Sequence, residues 1–217
     1  MFKFINHASF LLESDQSILL TDPWLEGSAF NNGWHLVDRS TSNIEMVDYL
    51  IKKNKKIFIW YSHEHSDHFS ISFLKSIKNL DNIKIIYQKT LDNRVKSFLV
   101  ANNFQIIVPK AGKEFLIEDN FKITTWPYRG GDSLCLINFF GEYILNINDC
   151  EINSAEDSKK VLFEINKKTS KIDFLLTQFG YACWNGNEDE KELRVKAAQE
   201  KLTAMENQIK VFKPSCI

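Results

Sequence analysis

Apolar residues along the chain recur with two periods, and these predict a succession of strands and helices. The continuous apolar run at 57–61 is typical of a strand buried on both faces. Apolar residues at helical spacing follow Asn43 and Ser70, which we expect to cap two helices. Residues 24–43 show no period and predict a long loop. The remaining strands are predicted at 8–13, 17–22, 83–87, 105–108, 115–117, 121–126, 134–140, 143–147, 172–178 and from 209 to 212, and the remaining helices at 91–102, 155–166 and 188–208.

This order of elements predicts an α/β fold in which two mixed sheets pack face to face under outer helices, a four-layer αββα sandwich. The chain has 217 residues, of which 44% are hydrophobic and 25% are charged, and this is the profile of a soluble globular protein. This length allows one substantial hydrophobic core or two small ones, and we predict a single domain over residues 1–217.

Net charge, apolar runs and cysteines indicate which partners and which cellular compartment to expect. The formal net charge is −1 and acidic residues are interspersed among the lysines, so nothing indicates binding to nucleic acid or to a membrane surface. No apolar run approaches transmembrane length, and Asn6 and His7 interrupt the run near the N-terminus. The four cysteines form no C-x-x-C pair and are expected to be reduced thiols. We therefore expect a cytoplasmic protein, and the sequence leaves its oligomeric state open.

Three of the five histidines lie in the segment 63–68, which reads HEHSDH. Imidazole nitrogens and carboxylate oxygens are the usual zinc ligands, and mixed sites of this kind also take iron or manganese. The segment directly follows the predicted buried strand, which gives the ligands a rigid support. We expect His63 and His65 to hold one ion, and Asp67 and His68 a second, so that a shared water of lowered pKa can attack a substrate. The alternative is a solvated loop that is rich in histidine.

The same segment resembles the H-x-H-x-D-H signature of the metallo-β-lactamase-fold hydrolases, in their strand-to-helix context. The sequence NHASF at 6–10, followed by ILLTDPW at 18–24, is similar to the first hairpin of the lactonase-like branch of that family. The resemblance runs from residue 6 to about residue 180 and implies the αββα fold. Three stretches also resemble the hydrolase-like domain of the CMP-N-acetylneuraminate hydroxylases and their bacterial relatives, namely 62–70, 145–150 and 178–184.

The resemblance implies roles for residues outside the cluster. It makes Asp149, which follows the strand at 143–147, a bridging metal ligand, whereas the residues alone favour a helix cap there. The position of Asp22, at the end of the strand predicted at 17–22, lets its carboxylate accept a hydrogen bond from a ligand imidazole and fix the tautomer of that ring, although an Asp-Pro turn also explains the residue. His7 is expected near the metals or within the core at a strand end. Arg129 stands where many members carry a histidine; it would reach an anionic group of the substrate or lie in a plain hairpin turn.

The last metal ligand of the family is a histidine near the C-terminus, and this sequence has none after His68. We therefore expect either that the natural chain continues past Ile217 with a further strand and helix, or that the site is incomplete. With Asp149 the ligands number five, enough for one complete ion site and a weaker second one.

The leading hypothesis is a hydrolase that uses one or two zinc ions, or iron or manganese, on an ester, lactone, phosphodiester or nucleotide-sugar-like substrate. Asp67 would be both a metal ligand and a proton acceptor. A second hypothesis is an iron-dependent oxidoreductase that acts on a nucleotide sugar with a separate Rieske protein, because the sequence has no Rieske motif of its own. A third is a non-catalytic protein with a degenerate metal site. In the first two, the substrate is a small molecule such as a carbohydrate derivative.

Overall fold

The computed structural model describes residues 1–180 and 185–217, which form two compact units, Met1–Asp119 and Asn120–Ile217. The first unit contains β1 (Phe2–Asn6), β2 (Ser9–Glu13), β3 (Ser17–Thr21), β4 (Ser28–Ala29), β5 (Trp34–His35), α1 (Asn43–Lys53), β6 (Lys56–Tyr61), α2 (Ile71–Ile77), β7 (Ile83–Tyr87), α3 (Arg94–Ala101), β8 (Gln105–Ile107) and β9 (Glu114–Glu118). The second contains β10 (Phe121–Pro127), a 3₁₀ turn (Arg129–Gly131), β11 (Ser133–Phe139), β12 (Glu142–Asn148), α4 (Ala155–Ile165), β13 (Phe174–Thr177) and α5 (Lys191–Phe212).

Six strands of the first unit form one sheet in the order β1-β2-β3-β6-β7-β8. The pairs β1–β2 and β2–β3 are antiparallel, whereas β3, β6, β7 and β8 run parallel to one another. In the parallel half, the last paired residues are Thr21 with Trp60, and Tyr61 with Tyr87. The chain therefore leaves β3, β6 and β7 at the same edge of the sheet, and the segments that follow these strands lie close together.

The continuous apolar run in β6 is buried on both faces, as its sequence predicts. Ile57, Ile59 and Tyr61 alternate with their neighbours and pack in one cluster with residues of the covering helices, among them Leu50 of α1 and Phe73 of α2. Each fully buried side chain of this size stabilises the fold by about 1.5–3 kcal/mol. The strand that precedes the histidine-rich segment is therefore the rigid support that the sequence predicts.

The cap of α1 lies one residue earlier than predicted. Ser42 Oγ accepts a hydrogen bond from Glu45 N over 3.2 Å, so Ser42 and not Asn43 is the N-cap. Asn43 is buried, and its Nδ2 donates to Glu26 Oε1 and to Ser72 Oγ, at 3.0 and 3.1 Å. Asn43 therefore ties the preceding loop and α2 to the start of α1, and these partners distant in the sequence decide its role.

One strand of the first sheet was not predicted from the sequence. β1 pairs antiparallel with β2, with Phe2 opposite Leu12 and Phe4 opposite Phe10. Phe2 and Phe4 are 38% and 66% exposed, so β1 is an edge strand that buries little apolar surface. The strand is held by its ladder of hydrogen bonds to β2, and a search for buried apolar residues does not detect it.

Four strands of the second unit follow one another in the order β13-β12-β11-β10 within their sheet. β10, β11 and β12 are joined by antiparallel pairing, and β13 runs parallel to β12. The core of this unit includes Leu145 and Ile147 of β12, Val161 and Ile165 of α4, and Phe212 of α5. The longest helix is α5, with 22 residues. Within the ranges that the structure describes, no helix combines the length and the apolar character needed to cross a membrane.

The strand predicted from 209 to 212 is wrong, because these residues form the last turn of α5. Ala204, Gln208 and Phe212 are buried one turn apart, which extends the helix past the predicted end. Lys213 takes a left-handed backbone conformation and ends the helix. The chain then does return to the sheet, but later than predicted: Cys216 forms a parallel bridge with Phe174 of β13.

A polar side chain on the buried face of α5 bonds the helix to the end of β13 and to the segment that follows β12. Gln208 is 5% exposed, its Nε2 donates to Ile152 O over 2.8 Å, and its Oε1 accepts a hydrogen bond from Thr177 Oγ1 over 2.5 Å. The alternating charges of α5 are typical of a solvated face, and the structure shows that the helix also has a buried face, which is partly polar.

A buried carboxylate at the end of β2 stabilises the first unit. Glu13 is 7% exposed and lies 2.8 Å from Lys53 Nζ and 2.6 Å from Lys55 Nζ, and Tyr49 Oη donates a hydrogen bond to it. Burial raises the pKa of Glu13, but the hydrogen bonds from Lys53, Lys55 and Tyr49 outweigh burial and lower the pKa to about 2.

We expect Glu13→Gln to lower the free energy of unfolding at pH 7 by about 1–3 kcal/mol, because it leaves two lysines without their carboxylate. Since the folded-state pKa is lowered, the stabilisation is fully present above the pKa of the unfolded chain and is lost as the pH falls toward 2. Urea unfolding at several pH values measures both effects. The control is Glu142→Gln, which changes an exposed glutamate of β12. Equal stability of Glu13→Gln and the unaltered protein at pH 7 would contradict this role.

Candidate metal centre

The segment 62–70 joins β6 to α2 at the sheet edge where β3 also ends. The backbone amides of His68 and Phe69 both donate to His65 O, over 3.0 and 2.7 Å, and fold the segment into a tight turn. Ser70 Oγ accepts a hydrogen bond from the first turn of α2 and caps that helix, as predicted. The histidine-rich segment is thus held between a buried strand and a capped helix.

The three histidines of this segment contact one another. His63 Nε2 lies 2.9 Å from His65 Nδ1, and the ring centroids of His63 and His68 are 4.3 Å apart. His63 and His68 are buried, whereas His65 is exposed. One side of the histidine cluster therefore faces solvent, and a small molecule can approach it from that side.

Asp67, His68 and the distant His7 form a second group, in which one ligand atom from each residue lies within 4.8 Å of the others. Asp67 Oδ2 is 3.1 Å from His7 Nε2 and 3.5 Å from His68 Nε2. Burial raises the pKa of Asp67, but the adjacent imidazoles of His68 and His7 outweigh burial and hold the pKa well below its ordinary value. Asp67 is therefore an anion at neutral pH.

Asp22 orients both buried histidines, His68 by direct contact and His63 through the hydroxyl of Ser62. It is fully buried after β3, and Ser62 N and Ser62 Oγ each donate to its carboxylate over 2.8 Å. His68 Nδ1 lies 3.2 Å from Asp22 Oδ2, and His63 Nδ1 lies 2.9 Å from Ser62 Oγ. Because the Ser62 hydroxyl donates its one proton to Asp22, it accepts a hydrogen bond from His63 Nδ1–H. Both histidines thus carry their proton on Nδ1, and both Nε2 atoms keep a lone pair.

Ser62 was not singled out from the sequence. The only signal that could have indicated it is its position between the buried strand and His63, and a serine there is equally typical of a turn. Its role depends on Asp22, which is 40 residues earlier in the chain. The pairing of β3 with β6 brings the two residues together.

The donor set fits a divalent cation. Within the first unit, the ionised carboxylate of Asp67 is grouped with His68 and His7, and the Nε2 lone pair of His63 lies on the ring next to His68. Asp67 Oδ1 is buried and has no hydrogen-bond partner among residues 1–180 and 185–217. Because buried carboxylate oxygens normally have a partner, a bound metal ion would explain this one. Nitrogen and oxygen donors suit zinc, iron and manganese, so this set of donors does not select among the three metals.

The two remaining residues of the segment contact other parts of the unit. Glu64 accepts hydrogen bonds from Arg94 Nη2 and Tyr87 Oη, over 3.2 and 3.3 Å. Ser66 Oγ accepts a hydrogen bond from Phe30 N over 2.9 Å. Glu64 therefore anchors the segment to α3 and β7, and Ser66 anchors it to the loop at 24–43, which carries the short strands β4 and β5.

Asp149 lies in the second unit, directly after β12. Its Oδ1 accepts a hydrogen bond from Gln178 Nε2 over 2.9 Å, and Gln178 Oε1 accepts one from Lys201 Nζ of α5. The alternative prediction, a helix cap, is wrong, because Ser154 caps α4 by accepting a hydrogen bond from Asp157 N over 3.0 Å. The role of Asp149 as a metal ligand stays a prediction.

Arg129 also lies in the second unit, where its side chain is 56% exposed. Its Nη2 donates to Glu151 O over 2.6 Å and lies 3.3 Å from Asp157 Oδ2. These contacts connect the turn after β10 to the start of α4, and binding of an anionic substrate group by Arg129 stays a prediction. Residues 181–184, which belong to one of the stretches that resemble the hydroxylases, lie outside the described residues.

The first unit thus combines a mixed sheet with a histidine and aspartate cluster that fits a metal ion. Residues 1–133 match the model of the beta-lactamase superfamily domain. The chain belongs to the beta-lactamase superfamily, and the resemblance found in the sequence is confirmed.

Among curated proteins, the chain is similar to the cytidine monophosphate-N-acetylneuraminic acid hydroxylase of Asterias rubens. The two are 28% identical over 155 residues, which cover 68% of this chain and 23% of the relative. The enzyme of the same name from Cricetulus griseus is 28% identical over 154 residues, which cover 68% of this chain and 26% of that protein. The chain therefore spans about a quarter of the length of these relatives.

Among solved structures, a CmlA beta-hydroxylase mutant superimposes with a TM-score of 0.66 at 15% identity, over 98% of this chain and 44% of that chain. The metallo-beta-lactamase fold protein YhfI from Bacillus subtilis superimposes with a TM-score of 0.54 at 12% identity, over 96% of this chain and 87% of that chain. At these identities the likeness shows the fold, and the predicted α/β fold of the metallo-β-lactamase type is confirmed. This fold implies a divalent metal site, for which the cluster described above is the candidate.

Removing the Ser62 hydroxyl should weaken metal binding. In Ser62→Ala, the His63 ring loses the acceptor that fixes its orientation, and Asp22 loses one of its hydrogen-bond donors. The loss of such supporting hydrogen bonds lowers metal affinity about 10- to 100-fold. Competition with a chromophoric zinc chelator measures the affinity. The matched control is Ser76→Ala on α2, where the hydroxyl donates to Phe73 O over 2.7 Å and lies outside the cluster. Equal zinc affinities of the two variants would contradict the orienting role of Ser62.

Proposed function

We propose that the chain is a metal-dependent hydrolase whose one or two ions are held by His63, His65, Asp67 and His68. The observation that carries this proposal is the group of His7, His68 and the ionised, buried Asp67, whose ligand atoms lie within 4.8 Å of one another, with the ring of His63 next to that of His68. A bound divalent ion there supplies a water of lowered pKa and polarises the bond to be cleaved. Zinc is the ion that this donor set accommodates most commonly, and Asp149 is proposed as a further ligand.

The residues of this chain supply orientation and a route for a proton. Asp22 and Ser62 hold His63 and His68 in one tautomer, so the lone pairs are in place before a substrate arrives. Asp67 is proposed as both ligand and proton acceptor. Its Oδ2 contacts His7 Nε2, and the His7 side chain is 32% exposed, so a proton taken up by Asp67 can pass through His7 to solvent.

The substrate is proposed to be a small molecule with an ester, lactone, phosphodiester or nucleotide-sugar-like bond. His65 is exposed, so the substrate can approach the ions from the solvent side of the cluster. The relatives are named for an activity on cytidine monophosphate-N-acetylneuraminic acid, and this supports a carbohydrate derivative or a nucleotide sugar among the first candidates.

A second candidate function is an iron-dependent oxidoreductase that acts on a nucleotide sugar with a separate Rieske protein. It is favoured by the two hydroxylases reported above, which align with 68% of this chain. Because nitrogen and oxygen donors hold iron as well as zinc, the identity of the bound metal distinguishes the two candidates.

The first experiment is elemental analysis of the purified protein and of the variant His63→Ala/His65→Ala. We expect one or two zinc ions per chain in the unaltered protein and less than half of that in the variant, because two imidazole ligands are gone. His35→Ala serves as the control for metal content, since it removes an exposed imidazole outside the cluster.

The zinc-loaded protein is then assayed with bis(p-nitrophenyl) phosphate, an aryl lactone and a nucleotide sugar. Turnover of any of these that is lost in the double variant supports the hydrolase. If the protein instead binds iron and consumes oxygen only when substrate and a Rieske protein are present, the hydrolase is contradicted and the oxidoreductase is supported. If the protein takes up no metal after loading with zinc, iron or manganese, both proposed functions are contradicted.

A further inference from the structure

A cavity of about 320 Å³ lies in the first unit beside the hairpin of β4 and β5. Its floor is apolar and is formed by Leu25 and Leu36, which are 1% and 6% exposed. Its rim is polar. A cavity of this size and lining, with few polar groups over an apolar floor, is typical of a small-molecule site.

Three of the polar side chains that line the cavity already have partners within the protein. Both oxygens of Glu26 accept hydrogen bonds from Asn43, one from the backbone amide and one from Nδ2, at 2.9 and 3.0 Å. Ser28 Oγ donates to Asn32 Oδ1. Thr41 Oγ1 donates to Leu25 O over 2.6 Å. These groups shape the cavity, and their hydrogen-bonding capacity is largely used.

The other two polar side chains, Arg39 and His35, have no hydrogen-bond or ion-pair partner within residues 1–180 and 185–217. Arg39 differs in this respect from the other three arginines of the chain. Arg94 pairs with Glu64, Arg129 with Asp157, and the Arg194 side chain donates to a backbone carbonyl. Among the described residues that line the cavity, the two basic side chains are thus the polar ones without an internal partner.

We infer that this cavity binds a small organic oxyanion, a carboxylate or a phosphoryl group that carries a short apolar substituent. The planar guanidinium of Arg39 presents two parallel N–H donors that match such a group, and His35 adds a donor on the same rim. The apolar substituent lies on Leu25 and Leu36. The one carboxylate of the lining, that of Glu26, is occupied by two amide donors at the start of α1, which reduces its repulsion of an anion.

This inference is independent of the proposed hydrolase, since none of the five polar residues belongs to the candidate metal centre. The two sites are nevertheless connected through the hairpin. Phe30, between β4 and β5, donates its backbone N–H to Ser66 Oγ of the histidine-rich segment. A ligand in the cavity therefore contacts the same loop that contacts the metal centre.

The test is isothermal titration calorimetry with phenylphosphonate and, in a second arm, with benzoate, so that the phosphoryl and carboxylate forms of the ligand are distinguished. Inorganic phosphate and benzyl alcohol are the two half-probes, each lacking either the apolar group or the charge. The proteins are the unaltered chain, Arg39→Gln, the control Arg194→Gln and the metal-binding variant His63→Ala/His65→Ala. Circular dichroism melting checks that each variant is folded.

We expect Arg39→Gln to weaken the binding of phenylphosphonate or benzoate about 10- to 100-fold, as the loss of a charge-assisted hydrogen bond does, with Arg194→Gln unchanged. His63→Ala/His65→Ala should keep the affinity, because the cavity does not involve the ions. Equal affinity of Arg39→Gln and the unaltered chain would overturn the inference. It would also be overturned if binding disappeared with the metal ligands, if inorganic phosphate bound as tightly as phenylphosphonate, or if neither aromatic anion bound.

Discussion

The buried carboxylate of Asp22 is the constraint on which the candidate centre depends. A charge in the interior is costly unless donors surround it, and Asp22 gathers the amide and hydroxyl of Ser62 and the imidazole of His68. These partners come from the segment after β6, which parallel pairing brings beside the end of β3. Folding the sheet in this register therefore assembles the orienting shell of both buried histidines at the same time.

Much of this fold could be predicted from the sequence because most elements have a local cause. β6 is recognised by an unbroken apolar run and α2 by its Ser70 cap, and both are as predicted. Elements without a local cause were missed or misplaced. β1 exposes Phe2 and Phe4, and Ile5 is its one apolar residue that packs against the core. The end of α5 is set by burial of Phe212, which depends on the rest of the second unit and carries no signal in the local pattern.

The residues of the candidate centre also fall into those that the local sequence identifies and those that it does not. The spacing HEHSDH identifies the cluster because its residues are adjacent in the chain, and that needs no knowledge of the fold. Ser62 could not be identified, because a serine acquires its orienting role only when Asp22 lies beside it. Asn43 is a similar case. Asparagine is a common N-cap residue, but the Asn43 side chain donates to Glu26 and Ser72, and Ser42 is the N-cap instead.

The partly polar face of α5 has a consequence for how the protein tolerates sequence change. A helix with alternating charges is usually the part of a domain where substitutions accumulate freely. In α5, however, Gln208 bonds to Ile152 and Thr177, and Lys201 bonds to Gln178, two turns apart on one side. Neutral substitutions are therefore expected on the solvent-facing side of α5. A deep mutational scan would find Lys201 and Gln208 as intolerant of substitution as the residues of an apolar core.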